Sequence, residues 1–81
     1  MTGVIFYRLT SSGEPCGIPV SGVANFGVMQ DTEDLSWHLA INTTDGSYYR
    51  VGRGSREYCE KKFQILHSAI SENRNIDVTE W

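Results

Sequence analysis

The 81 residues suffice for one domain with one core, and residues 1–81 read as a single domain. A hydrophobic fraction of 40% and a charged fraction of 21% exclude a disordered chain, and the longest apolar run, Val4-Ile5-Phe6-Tyr7, is far too short to cross a bilayer as a helix. The net charge of −3 argues against general nucleic-acid binding.

Val4 to Leu9, rich in β-branched and aromatic residues, predicts a first strand. Ser11-Ser12-Gly13-Glu14-Pro15-Cys16-Gly17 predicts the turn that ends it. Val20 to Met29 predicts a second strand, with Ala24, Phe26 and Val28 on one face and Val23, Asn25 and Met29 on the other. Gly22 and Gly27 weaken this strand and mark a bulge or a close backbone approach. Gln30-Asp31-Thr32-Glu33-Asp34 is a polar, acidic loop, read as a solvated turn.

From Leu35 to Thr43 the pattern alternates cleanly. Leu35, Trp37, Leu39 and Ile41 share one face, and Ser36, His38, Ala40 and Asn42 the other. Asp45-Gly46 turns the chain into a strand from Tyr48 to Arg53. A two-residue loop would place Ile41 opposite Arg50. A three-residue loop, Thr44-Asp45-Gly46, places Ile41 opposite Tyr49, Leu39 opposite Val51 and Trp37 opposite Arg53. Only the second keeps apolar side chains together, so a type I turn with a left-handed Gly46 in a bulge is expected.

Ser55 suits a helix N-cap and Glu57 the first turn. The helix is expected from about Arg56 to Glu72, with Cys59, Phe63, Leu66 and Ile70 as its apolar stripe and Asn73 or Asn75 at its end. Glu57–Lys61 is an i,i+4 pair on its wet face, and Lys62 is expected to snorkel to water. Ile76 to Trp81 predicts a short last strand. The fold class expected is α+β: a four- or five-stranded antiparallel meander packed on one C-terminal helix.

A domain this small hides only about 60–65% of the surface its unfolded chain exposes, so a homodimer interface would supply burial the monomer lacks. The two cysteines, Cys16 and Cys59, lack CxxC spacing and read as reduced thiols, with Cys59 in the core. No charged start, apolar stretch and cleavage site succeed one another, so a cytoplasmic protein is expected. His38, His67, Cys16 and Cys59 have no metal-ligand spacing. Neither a nucleophile elbow nor a Walker or dinucleotide fingerprint occurs. No enzyme activity, cofactor or metal is therefore expected.

The one basic segment is Arg50-Val51-Gly52-Arg53-Gly54-Ser55-Arg56, in an otherwise acidic chain. Arginines at a strand-to-helix junction can pair with phosphate or carboxylate, and the backbone at Gly54 and Ser55 can face an anion at the helix N-terminus. The structural account of the same residues is a shaped turn, a cap and solvated arginines. Protein binding rests on different residues. A sheet with one helix leaves one face uncovered, and Ala40, His38, Arg50 and Tyr48 lie on it. Arg50, Arg53, Arg56, Tyr48 and His38 are thus the candidate contact residues for a protein or an anion. The favoured reading is a non-enzymatic protein-binding domain using a sheet face or edge. The alternative is a binder of a phosphate-bearing small molecule or nucleotide at the Arg50–Ser55 junction.

From Val23 onward the order of elements resembles a group of small bacterial and phage proteins. They share a β-meander, a turn of the type Asp45-Gly46-Ser47, an aromatic strand (Tyr48-Tyr49-Arg50-Val51-Gly52), a Ser-capped helix (Ser55 to Ile70) and an apolar ending (Ile76-Asp77-Val78). The group has no activity to carry over. The resemblance implies a phage or mobile-element origin, hence a host cytoplasm. It also implies an inhibitor that binds a host protein or sequesters a small molecule.

Overall fold

In a computed structural model that describes residues 3–9 and 12–81, the chain runs β1 (Val4–Arg8), β2 (Pro15–Pro19), β3 (Val23–Gln30), β4 (Trp37–Thr43), β5 (Tyr48–Gly54), α1 (Arg56–Ser71) and β6 (Ile76–Asp77). The class is α+β, with the helix near the C-terminal end. The expected single four- or five-stranded sheet is instead two three-stranded sheets, ordered β2-β1-β6 and β3-β4-β5. The split follows from residues 15–22. Pro15-Cys16-Gly17, expected as turn, joins Ile18 and Pro19 in a strand that pairs antiparallel with β1, and Val20–Gly22, expected as strand, forms a 3-10 turn. β2 is an edge strand, where a proline costs no ladder hydrogen bond. The expected turn residue Ser11 lies outside the described residues.

The β4–β5 hairpin has the three-residue loop. Gly46 has φ +89, its N–H donates to the Thr43 carbonyl at 3.1 Å, and Thr43 N–H donates to Ser47 at 3.0 Å. Ile41 faces Tyr49 and Leu39 faces Val51, as the apolar pattern requires. Further along, the register slips by one. His38 faces Arg53 and Trp37 faces Gly54, not Arg53 as expected. The extra residue is Gly52, whose φ of +73 suits glycine at a bulge.

Helix α1 begins at Ser55, whose Oγ accepts the Tyr58 N–H at 3.1 Å. It ends in a Schellman motif. Asn73, at φ +53, donates to Ile70, and Arg74 donates to Ala69. Cys59, Leu66 and Ala69 are buried, with Phe63 and Ile70 half-buried beside them.

One core joins both sheets and the helix. Ile5, Tyr7, Ile18 and Val20 come from the first sheet, and Leu39, Ile41 and Val51 from the second. Leu66 and Ala69 of α1 and Ile76 and Val78 of the C-terminal segment complete it. Full burial of a side chain such as Leu39 or Leu66 contributes about 1.5–3 kcal/mol. Phe26 of β3 meets Phe63 of α1 at 5.3 Å, and Tyr49 of β5 meets Tyr7 of β1 at 5.7 Å. Phe26, Ile41 and Tyr49 are cross-strand neighbours on one face, so α1 and β1 cover the same side of the β3-β4-β5 sheet. Among the described residues no strand or helix lies over the other side, where the β3–β4 loop pairs through Asp31 with Arg50.

The final strand stays within its own chain: β6 pairs parallel to β1, Ile5 with Ile76 and Phe6 with Asp77. Two side chains tie the junction. Gly3 N–H donates to the Asn73 Oδ1 and Val4 N–H to the Asn75 Oδ1, each at 2.9 Å.

Candidate functional site

The uncovered face of the β3-β4-β5 sheet is set by alternation. The residues pointing to it are Asn25, Gly27 and Met29 from β3, His38, Ala40 and Asn42 from β4, and Tyr48 and Arg50 from β5. A Cβ added at Gly27 would meet nothing within 4 Å, as an open surface demands. Ala40 and His38 in the central strand are nonetheless 1% and 6% exposed. Met29 and Tyr48 remain 49% and 45% exposed.

Four of the candidate residues are brought together here. His38 Nε2 and the Tyr48 hydroxyl share a hydrogen bond of 2.8 Å. The Arg50 guanidinium stands 6.0 Å over the Tyr48 ring and pairs with Asp31 at 3.2 Å. Arg53 pairs with Asp34 and donates to Ser36 Oγ at 3.1 Å. The acidic loop is therefore docked on the arginines, which composition alone leaves hidden. Burial of His38, aided by the Arg50 charge, holds its pKa below the ordinary histidine value. The imidazole is thus neutral near neutral pH.

The loop between β3 and β4 departs from expectation at Leu35. It is 66% exposed, with φ +62, and does not join the apolar face that simple alternation assigns it. The reason is local. Asp31 N–H donates to Ser36 and Leu35 N–H to Asp31, while Ser36 donates both its N–H and Oγ–H to Asp34. Closing this loop forces Leu35 left-handed, and the strand starts only at Trp37. Those Ser36 bonds also lower the Asp34 pKa, with a smaller contribution from Arg53.

The remaining candidates, Gly54, Ser55 and Arg56, lie apart from this group at the helix start. The Arg56 side chain pairs with Glu60 at 2.9 Å and its guanidinium sits 5.3 Å over the Trp37 ring. The Ser55 hydroxyl already holds Tyr58 N–H. A Cβ on Gly54 would stand 3.0 Å from the Tyr58 ring, so glycine there allows close packing. The Gly54 amide faces the Cys59 sulfur and partly offsets the rise in the thiol pKa caused by burial. Each group thus has a structural partner inside the chain.

Sequence reasoning missed a cleft of about 550 Å³ at the β5 edge, where the two sheets and the C-terminal segment converge. Tyr7, Leu9, Val78 and Trp81 contribute its apolar wall. Arg8, Arg50 and Arg53 line it together with Asp31, His38 and Thr79. Trp81 is seated by Gly52, where an added Cβ would come within 3.4 Å of the Trp81 Cβ, and by Lys62, whose ammonium lies 5.2 Å from the indole. Lys62 lies a similar 5.4 Å from Tyr58, so it bridges two rings and does not simply reach for water. The glycine spacing around Gly52 was the available signal for the cleft, but nothing local pairs it with Arg8.

Cys16 and Cys59 are free thiols, half-buried and buried. Among the described residues, no group of three His, Cys, Asp or Glu is placed to hold a metal ion. No described helix is long and apolar enough to cross a membrane. No protein family, curated protein or solved structure matches the chain.

Proposed function

We propose that this is a non-enzymatic binding domain that engages a protein partner through the uncovered face of the β3-β4-β5 sheet. The observation that supports this reading is the composition and exposure of that face. Met29 and Tyr48 present large, half-exposed side chains beside Arg50, around a centre of buried His38 and Ala40. Tyrosine and arginine are common anchors of protein interfaces. The exposed, backbone-strained Leu35 lies at one end of the same sheet. A left-handed leucine costs about 1–2 kcal/mol, and such strain tends to be retained where a side chain is presented for use. On this reading, and on the resemblance to small phage proteins, the partner is a host protein whose activity is blocked.

The test compares wild type with Met29→Glu and Tyr48→Ala as bait in lysate of the native host, after circular dichroism confirms folding of all three. A stoichiometric partner that both variants lose, with hydrogen-exchange protection centred on β4 and β5, is the expected result. Retention of the partner by both variants would overturn the reading. A homodimer, seen by native mass spectrometry and lost in the same variants, would assign the face to a second copy instead.

A further inference from the structure

We propose that the cleft at the β5 edge binds a small organic monophosphate, with the phosphate held by Arg8, Arg50 and Arg53. The site is separate from the helix N-terminus, whose Gly54, Ser55 and Arg56 do not line the cleft. Its cationic groups come from two sheets: Arg8 from β1, Arg50 and Arg53 from β5. Three guanidiniums line the cleft with the carboxylate of Asp31, and Asp34 pairs with Arg53 beside it. Asp31 and Asp34 balance Arg50 and Arg53, so the case rests on guanidinium geometry, whose forks match phosphate, and on Arg8, which has no ion-pair partner among the described residues.

The arginines differ in how firmly they are engaged. Asp31 holds Arg50 and Asp34 holds Arg53, and both arginines are exposed. Arg8 donates to the Gly13 carbonyl at 2.7 Å, and among the described residues it forms no ion pair. Its charge also helps hold the Asp77 carboxyl low, after the larger effects of the Thr79 hydroxyl and amide. Arg8 therefore has donors to offer without breaking a salt bridge, while Arg50 and Arg53 keep their acidic partners and share a further oxygen. The opposite wall decides between a bare ion and an organic one. Tyr7, Leu9, Val78 and Trp81 give the cleft an apolar side against which a ring or chain can lie. A volume of about 550 Å³ is within the usual range for a small-molecule site, whereas a lone phosphate would leave most of it to water. Gly52 is the hinge of the design. Its bulge shifts the β4–β5 register at the cleft, its φ of +73 suits glycine, and Trp81 packs against it at the end of the cleft.

The experiment is calorimetric titration of the full chain with adenosine monophosphate, phenyl phosphate, adenosine and inorganic phosphate in low salt. Arg8→Gln and Arg53→Gln are titrated alongside. Both residues are exposed, and thermal unfolding checks that each variant is folded. The expected result is saturable binding of at least one organic monophosphate, weaker binding of inorganic phosphate, and none of adenosine. Each arginine substitution should weaken that binding by about tenfold or more, as the loss of a hydrogen bond to a charged group does. Failure of both organic monophosphates to bind at millimolar concentration overturns the proposal. So does equal binding of inorganic phosphate, or affinity unchanged in Arg8→Gln.

Discussion

His38 lies under the rim of an open sheet face, hydrogen-bonded to Tyr48 and close to two arginines. Its pKa is depressed, so the unfolded chain takes up a proton before the folded one does. Stability from the neutral ring is present above the unfolded value of about 6.5 and is lost as pH falls through it. Melting temperature should therefore decline between about pH 7 and pH 5, and His38→Gln should flatten that decline. An unchanged slope in the variant would refute the assignment. Asp34, Asp45 and Asp77 carry depressed carboxyl pKa values from Ser36, Thr43 and Thr79 hydrogen bonds respectively. Their contribution persists to lower pH and fades only as pH falls below about 4. The two windows separate the histidine from the acids. At this scale the sequence was legible for types and poor for partners. Arg50 and Arg53 stood out as a basic run, yet that Asp31 and Asp34 would dock on them depended on a loop whose shape local composition leaves open.

Among the elements, the β3–β4 connection and α1 make an instructive contrast. The helix was readable from cap to cap. Ser55 accepts its expected bond, the buried positions follow the helical repeat, and Asn73 ends it because asparagine tolerates left-handed backbone. Alternation likewise placed Leu39, Ile41 and Val51, because a slip by one residue would have turned them all to water. The same rule failed at Leu35, where Asp31, Asp34 and Ser36 set the backbone and the side chain simply follows. Since Leu35 is exposed and left-handed, Leu35→Asn should raise stability by about 0.5 kcal/mol, measured by urea unfolding. If Leu35 also serves the partner, that variant should bind less well while melting higher. A loss of stability would show that the leucine side chain contributes more through packing than its conformation costs. β2 failed for another reason. Prolines and a glycine read as turn, and only the edge position in a second sheet makes them acceptable as strand.

For the whole molecule, two sheets drawing on one core imply a single cooperative unit. No local feature predicts that Ile76 will lie beside Ile5, because the pairing joins opposite ends of the sequence. That is why a single meander was the natural expectation and two sheets the outcome. The seam between the ends is tight. A Cβ at Gly3 would come within 2.6 Å of the Arg74 backbone. Gly3→Ala should therefore cost about 1–3 kcal/mol, through overpacking against main chain that has no rotamer to yield. The loss should be seen in one shared transition, by tyrosine and tryptophan fluorescence and by far-ultraviolet circular dichroism alike. Separate transitions for the two probes would mean that the sheets unfold independently.

The parallel pairing of β1 with β6 also sets an order of events during synthesis. As the chain emerges from a ribosome, β1 and β2 can form their hairpin early, and β3 to β5 can zip by short turns. The first strand, however, keeps one edge bare until the residues around Ile76 have cleared the exit tunnel. An uncapped edge is open to pairing with other chains. Of the strands in this fold the one made first is thus the last to be completed, and its edge stays bare for as long as translation takes to reach β6.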